Sequence, residues 1–100
     1  MIKHVVMWTF KEDAEGRDRA AVAAKVKTDL LALASLIPAI RRIEVGINQL
    51  PSDAACDICL LSEFDTWADL DTYRDHPAHQ AVVAYVKTVV TSRHVVDYEV

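Results

Sequence analysis

His4, Tyr73 and His79 are side chains of the kinds that move protons near neutral pH, and one fold could bring them to one site. An imidazole has the ordinary pKa closest to neutrality, so it takes up or returns a proton with little penalty. A phenol stays protonated to about pH 10. It can therefore donate a hydrogen bond to a carbonyl oxygen and stabilise the enolate formed when an adjacent C–H proton leaves. Two imidazoles and a phenol in one cavity would make an acid–base site that needs no metal and no cofactor. Tyr73, His76 and His79 share the run Tyr-Arg-Asp-His-Pro-Ala-His (73–79), while His4 lies near the start of the chain. The expectation is that the fold lays the first segment under the second.

The local pattern gives His79 a specific role. Pro77 suits the first position of a helix, which makes His76 the N-cap and puts His79 in the first turn. The positive end of the helix dipole disfavours an imidazolium there, as does burial. A neutral imidazole at pH 7 is what a general base requires. His76 is then a capping or second-sphere group. Plainer roles exist for each residue: Tyr73 as core, His4 as a structural hydrogen-bonding group, His76 as helix punctuation. A zinc site is a further reading, with His76 and His79 three apart and His4 as third ligand. It is disfavoured because His76 precedes the regular helix and no carboxylate is clearly placed to orient the imidazoles.

Cys56 and Cys59 have the C-x-x-C spacing of redox and zinc sites. The run 56–64 reads as a strand, however, where residues three apart face opposite ways and sit about 10 Å apart. That is too far for a disulfide. No second cysteine pair exists to complete a zinc site, so both are expected to be structural.

The elements that must position these groups follow from periodicity. Residues 2–10 alternate as a strand, with Ile2, His4, Val6, Trp8 and Phe10 on one face. Residues 11–15 read as a turn, and a long helix is expected from about 16 to 36, with Val22, Val26, Leu30, Leu33 and Ile37 as its buried stripe. Pro38 ends it. Strands are expected at 40–48 and 56–64, and Thr66 with Asp69 resembles a capping box opening a short helix. A third helix from Pro77 carries Val82, Val83, Val86, Val89 and Val90 inward. A last strand runs from 93 to 100. Trp8 and Trp67 are expected in core or interface, and Glu63 and Asp97 are expected to pair with Arg41, Arg42 or Arg93. His94 is assigned no chemistry.

The order β-α-β-β-α-α-β predicts one α+β domain over residues 1–100, a ferredoxin-like sandwich with helices on one sheet face. The second face is also apolar at Val5, Met7, Cys59 and Leu61, whereas a solvated face should alternate cleanly with polar residues. That surplus predicts a homodimer through the sheet faces. A hydrophobic fraction of 52% suits a single core. A net charge of −4 with scattered Lys and Arg argues against a nucleic-acid surface. No apolar run approaches the roughly 20 residues of a membrane span. The N-terminal residues do not read as a signal peptide, so the cytoplasm is the expected location.

Several segments in this order resemble the dimeric α/β-barrel family, also called the stress-responsive A/B barrel or Dabb family. They are Ile-Lys-His-Val-Val (2–6), Leu36-Ile37-Pro38-Ala39-Ile40, Ile43-Glu44-Val45-Gly46, Leu61-Ser62-Glu63-Phe64, Tyr73 with His76-Pro77-Ala78-His79, and Asp97-Tyr98. The resemblance implies a dimeric barrel. Most members have no assigned reaction, and some plant members are heat-stable stress proteins. One plant member cyclises a linear polyketide thioester by a metal-free aldol reaction. Its Tyr and His lie in a Tyr-x-x-His-Pro-x-His segment, matched here at Tyr73 and His79, and its first-strand His is matched by His4. No motif matches its substrate-selecting walls. Two expectations follow: a small-molecule pocket for an apolar carbonyl compound with cyclase- or isomerase-like acid–base chemistry, or a non-catalytic stress-response or ligand-binding dimer. An oxygenase is a weaker reading, since no haem-ligand or flavin pattern is recognisable.

Overall fold

The computed structural model describes residues 1–14 and 17–100, except for the side chains of Ala14 and Arg17. Strand β1 (Ile2–Phe10) leads to a short ladder of β2 (Asp13–Ala14) with β3 (Arg17–Asp18), then to helix α1 (Arg19–Leu36). Strands β4 (Arg42–Ile47) and β5 (Ile58–Phe64) follow. Helices α2 (Trp67–Asp75) and α3 (Pro77–Val89) come next, and strand β6 (Val90–Glu99) closes the chain. The four long strands form one antiparallel sheet in the order β4-β5-β1-β6, with the helices on one side. This is the ferredoxin-like α+β arrangement expected from the element order.

Alternation decides which residues face the helices. On β1, Ile2, Val6, Trp8 and Phe10 are buried, and His4 is buried among them at 3% exposure. Ile58, Leu60, Ser62 and Phe64 do the same on β5. Helix α1 returns Val22, Val26, Leu30 and Leu33 to this layer, with Ile37 at its C-cap. Burying a side chain of this kind stabilises the fold by about 1.5–3 kcal/mol, so the two interleaved rows fix the sheet register as well as the layer.

Four sequence expectations are corrected. Asp13, Ala14, Arg17 and Asp18 pair as a small ladder rather than a plain turn; the rest of that expected boundary, residues 15 and 16, lies outside the described residues. Helix α1 begins at Arg19 because Asp18 caps it, its carboxylate accepting from the Ala21 N–H at 2.8 Å. The third helix stops at Val89, and Val90, expected on its buried stripe, is already in β6. The β-branched run there favours extended backbone. Cys56 precedes β5 instead of lying in it, and both cysteines are free thiols.

The outer sheet face is apolar at its centre. Val5 and Met7 on β1 lie beside Leu61 and Cys59 on β5. On the other side they meet Val96 and His94 on β6, and Lys3 beyond them meets Tyr98. Met7, Val96 and Tyr98 are 37%, 56% and 41% exposed.

Candidate acid–base site

Strand pairing places the first imidazole. His4 on β1 stands directly opposite Asp97 on β6, so both side chains project to the helical side. There the His4 Nδ1 is hydrogen-bonded to the Asp97 carboxylate. The other carboxylate oxygen of Asp97 accepts from the Arg74 guanidinium at 3.0 Å. Since a carboxylate only accepts, the neutral His4 imidazole carries its proton on Nδ1 and leaves Nε2 bare.

The second imidazole is placed by the joint between α2 and α3. Thr66 caps α2 by accepting from the Asp69 N–H at 3.1 Å. The helix runs for nine residues and stops before Pro77. His76 then caps α3, its Nδ1 accepting from the Ala78 N–H at 3.0 Å. His79 is three residues past that cap and reaches back across the joint, so that its Nδ1–H donates to the Arg74 carbonyl at 3.0 Å. This acceptor likewise fixes the neutral tautomer with Nε2 bare. Arg74 therefore holds both imidazoles, one through its carbonyl and one through Asp97.

Tyr73 lies between them. Its ring is fully buried, with centroids 4.3 Å from His79, 5.2 Å from Phe64 and 6.1 Å from His4. Its hydroxyl is buried and has no hydrogen-bond partner among the described residues. A buried hydroxyl without a partner costs roughly 1–3 kcal/mol, so such a group invites an explanation by use.

Burial sets the protonation states. It pushes the His4 imidazole below its ordinary value, against the opposing pull of the Asp97 carboxylate. It lowers His79 in the same way, with the bond to the Arg74 carbonyl acting in the opposite direction. The same burial raises the Tyr73 phenol. At neutral pH the cluster thus holds two neutral imidazoles and a protonated phenol.

These groups open onto a cavity of about 280 Å³. Val6, Trp8 and Leu60 of the sheet floor it, Val82, Val83 and Val86 of α3 cover it, and Leu30 of α1 closes one side. His4, Tyr73 and His79 all line it, while His76 does not. Two larger open hollows lie elsewhere. One, of about 370 Å³, runs beside Arg19, Asn48 and Asp57. The other, of about 460 Å³, lies on the outer face beside Met7, Cys59 and His94. The smaller cavity is the one that joins apolar walls to converging polar groups, which is the usual composition of a ligand site. Among the described residues, no three His, Cys, Asp or Glu side chains converge as metal ligands would.

Asp97 and Arg74 were not among the expected site residues. Asp97 was expected to pair with Arg41, Arg42 or Arg93, but it pairs with Arg74 and His4. Strand order keeps Arg41 and Arg42 away from it, since β4 and β6 are the opposite edges of the sheet. At the β4 side, Arg41 pairs with Asp65, and Arg42 with Glu44 and Glu63. Only the β1–β6 register brings Asp97 opposite His4, and no local spacing reveals it. Trp8 belongs to the core, whereas Trp67 is 47% exposed at the start of α2.

Sequence and structure comparisons agree with this architecture. An uncharacterized protein of Streptomyces coelicolor is 35% identical over 99 residues, spanning 99% of either chain. The crystal structure of a dimeric ferredoxin-like protein of unknown function from Bacteroides fragilis matches with a TM-score of 0.88 at 35% identity, over 99% of this chain and 95% of that one. A hydroxynitrile lyase from Passiflora edulis matches with a TM-score of 0.82 over 99% and 92% of the two chains; at 16% identity this is a likeness of fold alone. With the family model of the stress-responsive A/B barrel domain matching residues 2–100, the chain belongs to the Dabb family.

Proposed function

We propose that this protein binds a small apolar carbonyl compound between its sheet and α3 and acts on it by cofactor-free acid–base chemistry. The observation that carries the reading is the convergence of His4, Tyr73 and His79 on one apolar-walled cavity, with the Tyr73 hydroxyl unpartnered. In the reaction, Nε2 of His79 takes a C–H proton beside the ligand carbonyl. The electron pair of that bond moves to the carbonyl oxygen, which accepts a hydrogen bond from the Tyr73 hydroxyl as charge develops. His4, fixed by Asp97, presents its bare Nε2 as an acceptor for the hydroxyl of the enol form of the ligand. Protonated His79 then returns the proton, either to carbon in an isomerisation or to the alkoxide of an aldol addition. This is chemistry of the olivetolic acid cyclase type, and it is supported here by the polar groups only.

The apolar band of exposed Met7, Val96 and Tyr98 with half-buried Val5 and Leu61 favours a homodimer through the sheet faces, in line with the dimeric state of the Bacteroides fragilis relative. A stress-response or ligand-binding dimer without turnover is the alternative that this band supports. Following linear β-polyketone thioesters through an aldol cyclisation distinguishes the two. Turnover by the wild type should fall by about 10²-fold or more in His79→Ala and in Tyr73→Phe, with both variants folded. Equal turnover in either variant would remove the catalytic reading.

A further inference from the structure

The mouth of the cavity carries charge of one sign. Arg93 on β6 pairs with Trp8 in the strand register, so it projects to the same side as His4 and Asp97. Lys87 lies in the last turn of α3 and belongs to the lining of the same cavity. Both line the cavity, and no Asp or Glu among the described residues does. The remaining arginines whose side chains are described, Arg19, Arg41, Arg42 and Arg74, each face a carboxylate. Arg93 and Lys87 have no ion-pair partner among the described residues. Lys87 also suits the negative end of its helix, but that role does not account for Arg93.

The size of the cavity limits what these cations receive. A closed apolar cavity of about 150 Å³ accommodates benzene, so about 280 Å³ has room for a body of roughly ten non-hydrogen atoms. Resting on the acid–base reading above, we propose that the ligand is a small apolar carboxylate, its body against Trp8, Leu60, Val82 and Val86 and its carboxylate between Arg93 and Lys87. A guanidinium binds a carboxylate through two parallel hydrogen bonds, and a lysine adds a point charge. The carbonyl that meets Tyr73 and His79 then lies further along the same molecule, which makes the substrate class a short keto acid. The positive charge of Arg93 also reaches the reacting groups, since it helps to hold His4 and His79 below their ordinary pKa.

The test compares hexanoate with hexan-1-ol, which keeps the apolar body and lacks the charge. Both are titrated into the wild-type protein, Arg93→Gln, Lys87→Gln and the double variant, following the imidazole signals of His4 and His79 by NMR. Both cations are exposed, so the variants should fold. Wild-type protein should bind hexanoate about ten- to a hundredfold more tightly than hexan-1-ol, the range of a charge-assisted hydrogen bond. Each single variant should narrow that ratio and the double variant should abolish it, with hexan-1-ol unaffected. Equal affinity for the two probes in wild type, or hexanoate binding unchanged in the double variant, would overturn the carboxylate assignment while leaving the cavity reading in place. Imidazole signals that respond to neither probe would overturn both.

Discussion

Replacing Tyr73 by Phe should make the protein more stable while it removes function. The ring contacts with Phe64, His79 and His4 belong to the aromatic body, which phenylalanine retains. Only the hydroxyl is lost, and it is buried without a partner among the described residues. Burying an unpaired hydroxyl costs about 1–3 kcal/mol. Tyr73→Phe should therefore gain about 1 kcal/mol, raising Tm by roughly 4–8 °C for a domain of this size. Tyr73→Ala, which also empties the ring space, should lose about 3–5 kcal/mol. The assay is urea unfolding followed by tryptophan fluorescence at fixed protein concentration, because dimer dissociation would couple to unfolding. A loss of more than about 1 kcal/mol in Tyr73→Phe would refute the reasoning. It would mean that the folded protein satisfies the hydroxyl and keeps Tyr73 for stability.

Asp97→Asn should drive the His4 pKa further down, because the carboxylate opposes the effect of burial. It should also cost about 1–3 kcal/mol in lost charge-assisted bonds. An unchanged His4 titration by NMR would contradict the assigned pairing. The pH dependence of stability has a definite sign. Folded His4 and His79 have depressed pKa values, so below about pH 6.5 the unfolded chain binds more protons. Stability should be full above that pH and fall as the pH drops through the window down to the folded pKa values. Each histidine contributes a slope of at most about 1.4 kcal/mol per pH unit, reduced for His79 by its partial exposure to solvent. Urea midpoints at pH 7.5 and 5.5 check this, and a midpoint no lower at pH 5.5 would reverse the assigned burial effect. Charges on the outer sheet face, Met7→Lys or Val96→Asp, should shift sedimentation toward the monomer, and a wild-type mass in both would argue against pairing through that face.

Much of the fold was legible along the chain, because each element is a periodic pattern with local punctuation. The alternation of Ile2, Val6, Trp8 and Phe10 marks a strand and its inner face. The stripe of Val22, Val26, Leu30 and Leu33 marks a helix. The His76-Pro77 cap locates the start of α3 and so the place of His79 in its first turn. Boundaries failed where two local preferences compete, as at Val90, where the same valines serve a helical stripe and a strand. The three proton-moving residues could be named from type and spacing. Their environment could not, because it depends on contacts between distant segments. The β1–β6 register sets Asp97 against His4 across 93 positions of sequence, and Arg74 joins that pair to His79 only after α2 and α3 fold back over the sheet. The cations Lys87 and Arg93 are near neighbours in sequence, on either side of the Val89–Val90 junction, but their place on the lining of the cavity is set by how α3 and β6 pack. Hydrophobic periodicity is a property of neighbours in sequence, whereas tautomer, pKa and charge at a cavity belong to neighbours in space, and tertiary packing alone decides those.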